Sequence, residues 1–236
     1  MKLKKLTESE IDPAELASKR WYNDACGAAF ALELVGERWS ILIVRELMFG
    51  PRRFGELKAG LPGISANILT QRLTSLEQER ILFRRKLPPP ASAQVYELTE
   101  WGYLAEPILS ELGRWATRSP EHNPTLPFSA ASAMLSFRTM LSRERQGDLT
   151  ATIGFRFDDD GFVATLDARG ITIVRADPKA ADVVFDTTPP MLAGAVYGGV
   201  PLAVLEGEGV MRVTGDRDLA EKFVTLFPLP PKLGVE

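Results

Sequence analysis

Residues 52–73 of the chain read RRFGELKAGLPGISANILTQRL. Phe54 and Leu57 have the spacing of the apolar face of a short helix, and the Pro62-Gly63 pair is typical of a tight turn. Ser65 is a preferred N-cap residue, so it predicts the start of a second helix. This order indicates a helix-turn-helix, a unit that inserts its second helix into the major groove of DNA.

Shorter periodic segments flank this motif on both sides. Apolar residues at three- and four-residue spacing predict helices over residues 28–35 and 39–49, with Gly36 between them. Residues 81–86 and 94–98 have the composition of two short strands. The loop between these strands contains Pro88-Pro89-Pro90, and we expect it to form a wing beside the second helix.

A last helix is predicted after Thr99, which is a good N-cap, and Pro107 should kink it. Its apolar stripe comprises Trp101, Leu104, Ile108, Leu112 and Trp115. This stripe is too apolar for solvent, so it packs either on its own domain or on a second chain. We favour a homodimer, helped by the N-terminal helix near Trp21 and Phe30, because a palindromic DNA site requires two copies.

The second helix, residues 65–79, is predicted to present one face to DNA. With Leu69 directed inward, the helical angle places Ala66, Leu73 and Leu76 on the same buried side. The residues expected to read bases lie on the other side or its flank: Asn67, Thr70, Gln71 and Thr74. Their amides and hydroxyls can hydrogen bond to base edges. The alternative is an ordinary polar helix surface.

Basic residues cluster around the same motif. Residues 1–118 contain 17 Lys and Arg against 15 Asp and Glu, a charge of +2, although the whole chain carries −3. The cations expected to contact phosphates are Arg52, Arg53, Arg72, Arg84, Arg85 and Lys86. Local positive charge attracts a polyanion whatever the net charge. Ser65 is expected to cap its helix and also to donate to a phosphate, and the alternative for the basic runs is a solvated face.

A change of composition marks a domain boundary. Residues 119–127 contain three prolines, which hold the chain extended, so we interpret them as a linker. Residues 128–236 predict an α+β domain that begins with an amphipathic helix over 128–141. Strands are predicted at 149–157, 162–168, 171–175, 182–186 and 209–214, and helices at 190–197 and 219–227. The acidic run Asp158-Asp159-Asp160-Gly161 has the composition of a hairpin turn.

Several classes of protein are disfavoured by the sequence. The longest apolar runs are shorter than the ~20 residues of a membrane span, and the charged N-terminus lacks the apolar segment of a secretory signal. One cysteine, Cys26, and one histidine, His122, exclude an intrachain disulfide and make a zinc site or catalytic triad a poor expectation. We expect a cytoplasmic protein that is not an enzyme and has no metal or cofactor.

Several motifs resemble the HxlR-type winged-helix regulators. They are Cys26, Gly36-Glu37-Arg38-Trp39, residues 50–57, Gly63-Ile64-Ser65, residues 69–73, Tyr96-Glu97-Leu98-Thr99 and Gly102. The resemblance implies a dimeric, bacterial, cytoplasmic, DNA-binding transcription factor. It also implies a redox-sensing role for Cys26, although Gly27 stands where the family commonly has proline. The alternative is a buried structural cysteine.

The C-terminal part resembles sterol-carrier-protein domains through residues 198–205, residues 208–216 and the closing helix to Leu226-Phe227. This resemblance implies a five-stranded sheet, with an apolar cavity between the sheet and its helices. The expected lining is Phe137, Met140, Leu141, Met191, Val196 and Tyr197. A closed core is the alternative for these residues. The sequence thus predicts a regulator modulated by a hydrophobic effector, or alternatively a lipid carrier that uses the winged helix as an interaction module.

Overall fold

The computed structural model describes residues 22–234 of the chain. The expected contribution of Trp21 to a dimer lies outside these residues. The N-terminal half contains α1 (Gly27–Val35), α2 (Ser40–Leu47), α3 (Phe54–Gly60), α4 (Ala66–Gln78), β1 (Leu82–Lys86), β2 (Gln94–Leu98), α5 (Glu100–Tyr103) and α6 (Glu106–Ala116). This order is that of a helix-turn-helix followed by a two-stranded wing.

The turn between α3 and α4 depends on Gly63, whose φ of +90° is strained for any residue with a side chain. The next helix begins with Ser65, whose Oγ accepts a hydrogen bond from the N–H of Ile68 at 3.2 Å. In the wing, β1 and β2 pair antiparallel, from Leu82 opposite Leu98 to Lys86 opposite Gln94. The helix-turn-helix prediction is confirmed at the level of these elements.

The single kinked helix predicted after Thr99 is wrong, because the chain forms two helices there. Thr99 caps α5, with its Oγ1 accepting from the N–H of Gly102 at 3.0 Å. Pro107 lies in the first turn of α6 rather than in a helix interior. In the first turn of a helix the backbone N–H has no acceptor within the helix, so the N–H that proline lacks costs no hydrogen bond. Pro107 therefore helps to begin α6 instead of kinking a longer helix.

The C-terminal half contains a mixed sheet with helices packed on one face. Its elements are α7 (Ala130–Met140), α8 (Arg143–Gln146), β3 (Ala151–Phe157), β4 (Asp160–Asp167), β5 (Gly170–Arg175), β6 (Val183–Thr187), α9 (Pro189–Gly198), α10 (Leu202–Gly207), β7 (Met211–Gly215) and α11 (Arg217–Val224). The strand order is β5-β4-β3-β6-β7. Only β3 and β6 pair in parallel, so the expected five-stranded sheet is present.

Helix α7 is buried around most of its circumference, which corrects the prediction of an amphipathic helix. Eight of its eleven residues are buried, among them Met134 and Phe137. Because α7 packs between the N-terminal helices and the sheet, one continuous apolar core extends through both halves of the chain. Residues 119–127 form no helix or strand and connect parts that share this core.

Among residues 22–234, none of the helices combines the length and the apolar character that crossing a lipid bilayer requires.

Candidate nucleic-acid interface

Helix α4 separates an apolar face from a polar one. Leu69, Leu73 and Leu76 are at most 2% exposed and anchor the helix to the core. The side chains expected to read bases are all exposed with both halves of the chain in place: Asn67, Thr70, Gln71 and Thr74. The expectation that Ala66 is buried is wrong, because this residue begins the helix and lies beyond the core. The C-terminal half therefore leaves the polar face of α4 accessible.

Arg72 lies on the same helix but is occupied by a contact within the chain. Its Nη2 lies 2.9 Å from a carboxylate oxygen of Glu37, and its Nε donates to the carbonyl of Arg38 at 3.2 Å. The Arg72 side chain is only 19% exposed. These contacts tie α4 to the turn before α2, and the predicted contact of Arg72 with a phosphate stays a prediction.

The wing cations are also largely paired. Arg84 contacts Glu77 of α4, which raises the pKa of the guanidinium through a hydrogen bond and through charge attraction. Arg85 pairs with Glu97 on the neighbouring strand. Lys86 is exposed, and no ion pair of this lysine occurs within residues 22–234. Among the three predicted wing cations, Lys86 is therefore the one without an ion pair within residues 22–234, while Arg84 keeps a half-exposed side chain.

The two arginines before α3, Arg52 and Arg53, differ in exposure and in their contacts. Arg53 is exposed at the N-terminus of α3. Arg52 is bound to Asp160 of the C-terminal half, and its side chain is 13% exposed. Local sequence patterns cannot predict this contact, because its partners are 108 positions apart and the acidic run around Asp160 indicates only a hairpin turn. Lys58 on α3 is a further exposed cation that the motif analysis missed.

An apolar surface covers α5 and α6. The stripe predicted from the sequence is exposed along its length, at 48% for Trp101, 71% for Leu104, 54% for Ile108, 48% for Leu112 and 73% for Trp115. On α1, Phe30 and Leu32 are about half exposed as well. Among residues 22–234, no element covers this stripe, so the first of the two alternatives, packing on its own domain, is not seen there.

Cys26 is an exposed free thiol at the N-cap position of α1, which corrects the alternative of a buried structural cysteine. The backbone N–H groups of Ala29 and Ala28 in the first turn of α1 favour the thiolate and lower the pKa of the thiol. A lowered pKa increases the thiolate fraction at neutral pH, and the thiolate is the nucleophilic form.

The C-terminal half has an open surface cavity of about 520 Å³ between α9, α10 and the chain after α11. Of the six predicted lining residues, Val196 and Tyr197 line this cavity, together with Val200 and Phe227. Tyr197 donates from its hydroxyl to Ser136 at 2.7 Å, and burial raises its pKa.

The other four predicted lining residues, Phe137, Met140, Leu141 and Met191, do not line that cavity. Phe137 instead packs in a cluster of rings, 4.6 Å from Phe227 and 5.5 Å from Phe223 between centroids. It is 1% exposed and Met140 is 6% exposed. Both residues therefore belong to the closed core that was the alternative interpretation.

The model of the family described as HxlR-like helix-turn-helix matches residues 34–124. The HTH-type transcriptional regulator YvaP of Bacillus subtilis is 39% identical over 87 residues, which cover 37% of this chain and 81% of YvaP. YodB, an HTH-type transcriptional regulator of the same bacterium, is 38% identical over 96 residues, or 41% of this chain and 86% of YodB.

A solved structure of reduced YodB has 37% sequence identity and a TM-score of 0.38, and covers 42% of this chain and 97% of the YodB chain. YodB has also been solved in a quinone-bound and in a diamide-treated form.

Proposed function

Because the chain belongs to the HxlR-like helix-turn-helix family of transcriptional regulators, we propose that it binds operator DNA as a homodimer. In this proposal, α4 enters the major groove and the wing contacts the adjacent backbone. The C-terminal half provides a site for a hydrophobic effector.

The observation that carries the proposal is the exposed polar face of α4. Its amide and hydroxyl side chains project from a helix whose leucines are fixed in the core. A rigid helix with this face can hydrogen bond to base edges without first unfolding or moving a covering segment. Arg53, which precedes α4 in the chain, and Lys86, which follows it, supply positive charge.

Substitution of Gln71 tests base recognition. We expect Gln71→Ala to weaken binding to DNA sites captured from the genome by about 1–3 kcal/mol. Gln78→Ala is the matched control, because Gln78 is an exposed residue of the same type at the far end of α4. Fluorescence anisotropy gives both affinities. If the Gln71 variant binds like the parent, α4 does not read these sites through this residue.

Lys86 tests the wing in the same assay. We expect Lys86→Ala to weaken binding to all DNA sequences alike, because a phosphate contact carries no sequence information. A loss confined to specific sites would contradict a backbone contact.

Cys26 supports a second, regulatory role as a thiol that reacts with oxidants or electrophiles. Its exposure and lowered pKa favour reaction. Since the chain has one cysteine, a disulfide would join two subunits. We expect diamide to produce a covalent dimer on non-reducing gels and to change DNA affinity, with neither effect in Cys26→Ser. An unchanged gel and affinity in the parent would contradict this role.

The cavity at α9 and α10 supports binding of a lipid-like small molecule with a polar end, because Val196, Val200 and Phe227 line it together with Arg145, Glu221 and Thr225. We expect native mass spectrometry to detect a bound lipid-like molecule, and Val200→Trp to displace it by filling the space. Val204→Trp is the control, since Val204 is exposed on α10 and does not line the cavity. If lipid binds while parent and variants show no affinity for any DNA, the alternative function of a lipid carrier is favoured.

A further inference from the structure

Arg52 joins the wing to the rest of the molecule through its backbone. Its N–H donates to the carbonyl of Tyr96 at 2.9 Å, and the N–H of Tyr96 donates to the carbonyl of Arg52 at 2.8 Å. Tyr96 is the central residue of β2, so Arg52 acts as a one-residue third strand of the wing sheet. A displacement of Arg52 would therefore be transmitted to the wing.

The side chain of the same residue is held by the C-terminal half. Both terminal nitrogens of Arg52 contact the carboxylate of Asp160, with Nη1 donating to Oδ1 at 3.0 Å. Arg175 of β5 binds the same carboxylate. Burial raises the pKa of Asp160, but hydrogen bonds from Arg52 and the charges of Arg175 and Arg52 outweigh it, and the pKa lies below its ordinary value. The carboxylate is therefore charged near neutral pH and bridges two cations.

This bridge lies beside an aromatic contact between the halves. The rings of Phe49 and Phe162 meet edge to face with centroids 5.7 Å apart. The guanidinium of Arg175 lies 4.4 Å from the centroid of Phe162, while two of its nitrogens, Nε and Nη2, are buried without a hydrogen-bond partner among the described residues. Arg175 is thus fixed by packing and by Asp160. Without that carboxylate, Arg52 and Arg175 would repel each other in a partly buried site, which is unfavourable. The more exposed Glu56, 4.0 Å from Arg52, would be left as a weaker counter-charge.

We propose that Asp160 is a positioning residue for DNA binding, because it holds Arg52, and through Arg52 the wing, at a fixed place relative to α4. The inference rests on the proposed DNA-binding function. It assigns the C-terminal half a direct effect on the DNA-binding surface without any contact with DNA. The start of β4, directly after the β3–β4 turn, is the part of that half that exerts this effect.

Three variants of this turn separate positioning from simple charge effects. Asp160→Asn removes the charge that bridges the arginines, and Asp160→Glu retains a carboxylate. Asp159→Asn is the matched control, because Asp159 is exposed, makes no ion pair among the described residues and carries the same charge in the same turn. Two quantities are measured for each variant: its affinity for DNA, and the amide hydrogen exchange of β1 and β2 in the DNA-free protein. Both measurements are made well below the unfolding temperature of the variant.

We expect Asp160→Asn to bind DNA about fivefold or more weakly than Asp159→Asn, the lower end of typical coupling between sites. Its β1 and β2 amides should exchange faster, those of α4 should exchange as in the parent, and Asp160→Glu should recover most of both properties. Equal affinities and exchange in the two Asn variants would overturn the inference while leaving the proposed function intact. Tighter DNA binding by Asp160→Asn would overturn it too, since Asp160 would then withhold Arg52 from DNA.

If the parent binds no DNA at all, the proposed function fails, and wing exchange still decides whether Asp160 holds the wing.

Discussion

Helices α6 and α7 are each eleven residues long and pack against one another, yet they have opposite environments. Among the residues of α6, all of them described, Leu109 alone is buried, and the apolar stripe faces outward. In α7 the buried residues extend around the helix, because the N-terminal helices cover one side and the sheet covers the other. The apolar surface of α7 is therefore covered within the chain, whereas the apolar stripe of α6 stays exposed among residues 22–234, which makes it the candidate surface for the proposed dimer.

The largest effect is expected from the core of α7. Phe137→Ala should lower the free energy of unfolding by about 3–5 kcal/mol, because it leaves a cavity in the ring cluster. Chemical denaturation measures this value. Phe83→Ala is the control, since this phenylalanine is 39% exposed on the wing. This variant should lose less unfolding free energy than Phe137→Ala. Equal losses would mean that the ring cluster is not the tightly packed centre of the core.

The next effect concerns the partner of α6. Leu112→Glu should weaken self-association by about 100-fold, or about 2.7 kcal/mol, because it places an unpaired carboxylate in the proposed interface. Sedimentation velocity measures the dissociation constant. Glu111→Ala on the same helix alters an exposed charge and should leave association nearly unchanged. A Leu112→Glu protein that remains fully dimeric would show that another surface forms the dimer.

A smaller effect is expected where α2 meets the start of α7. Glu46 is 3% exposed, and one of its carboxylate oxygens accepts from the hydroxyl of Ser129 at 2.7 Å and pairs with Arg45 at 2.8 Å. Glu46→Gln should cost about 1.5–3 kcal/mol of unfolding free energy, the range for hydrogen bonds to charged groups. Glu56→Gln, at an exposed carboxylate of α3, should cost less. A thermodynamically neutral Glu46→Gln would mean that this contact does not join the halves.

Sequence patterns predicted the parts of the molecule that depend on local spacing. The leucines of α4, the Ser65 cap and the strand predicted over 149–157 all reflect local spacing, and the structure has the leucines buried, the cap formed and a strand over Ala151–Phe157. The HxlR-type motifs likewise identified the family.

Contacts between distant residues could not be predicted in this way. Nothing in the local pattern indicates that Asp160 binds Arg52 or that Glu46 accepts a hydrogen bond from the hydroxyl of Ser129. Each pair joins different halves of the chain. The burial of α7 also depends on which elements surround it. These contacts occupy several of the predicted cations in the DNA-free chain, among them Arg52, Arg72 and Arg84, and their contact with phosphates stays a prediction.

The edge-to-face contact of Phe49 with Phe162 makes the stability of each half depend on the other. Neither part can lose its fold without exposing apolar surface of its neighbour to water. The protein should therefore melt in one cooperative transition, and limited proteolysis in the proline-rich connection should not release a stable N-terminal fragment. Inactivating mutations recovered in a genetic screen should then fall in the β-sheet as well as on the DNA-facing helix.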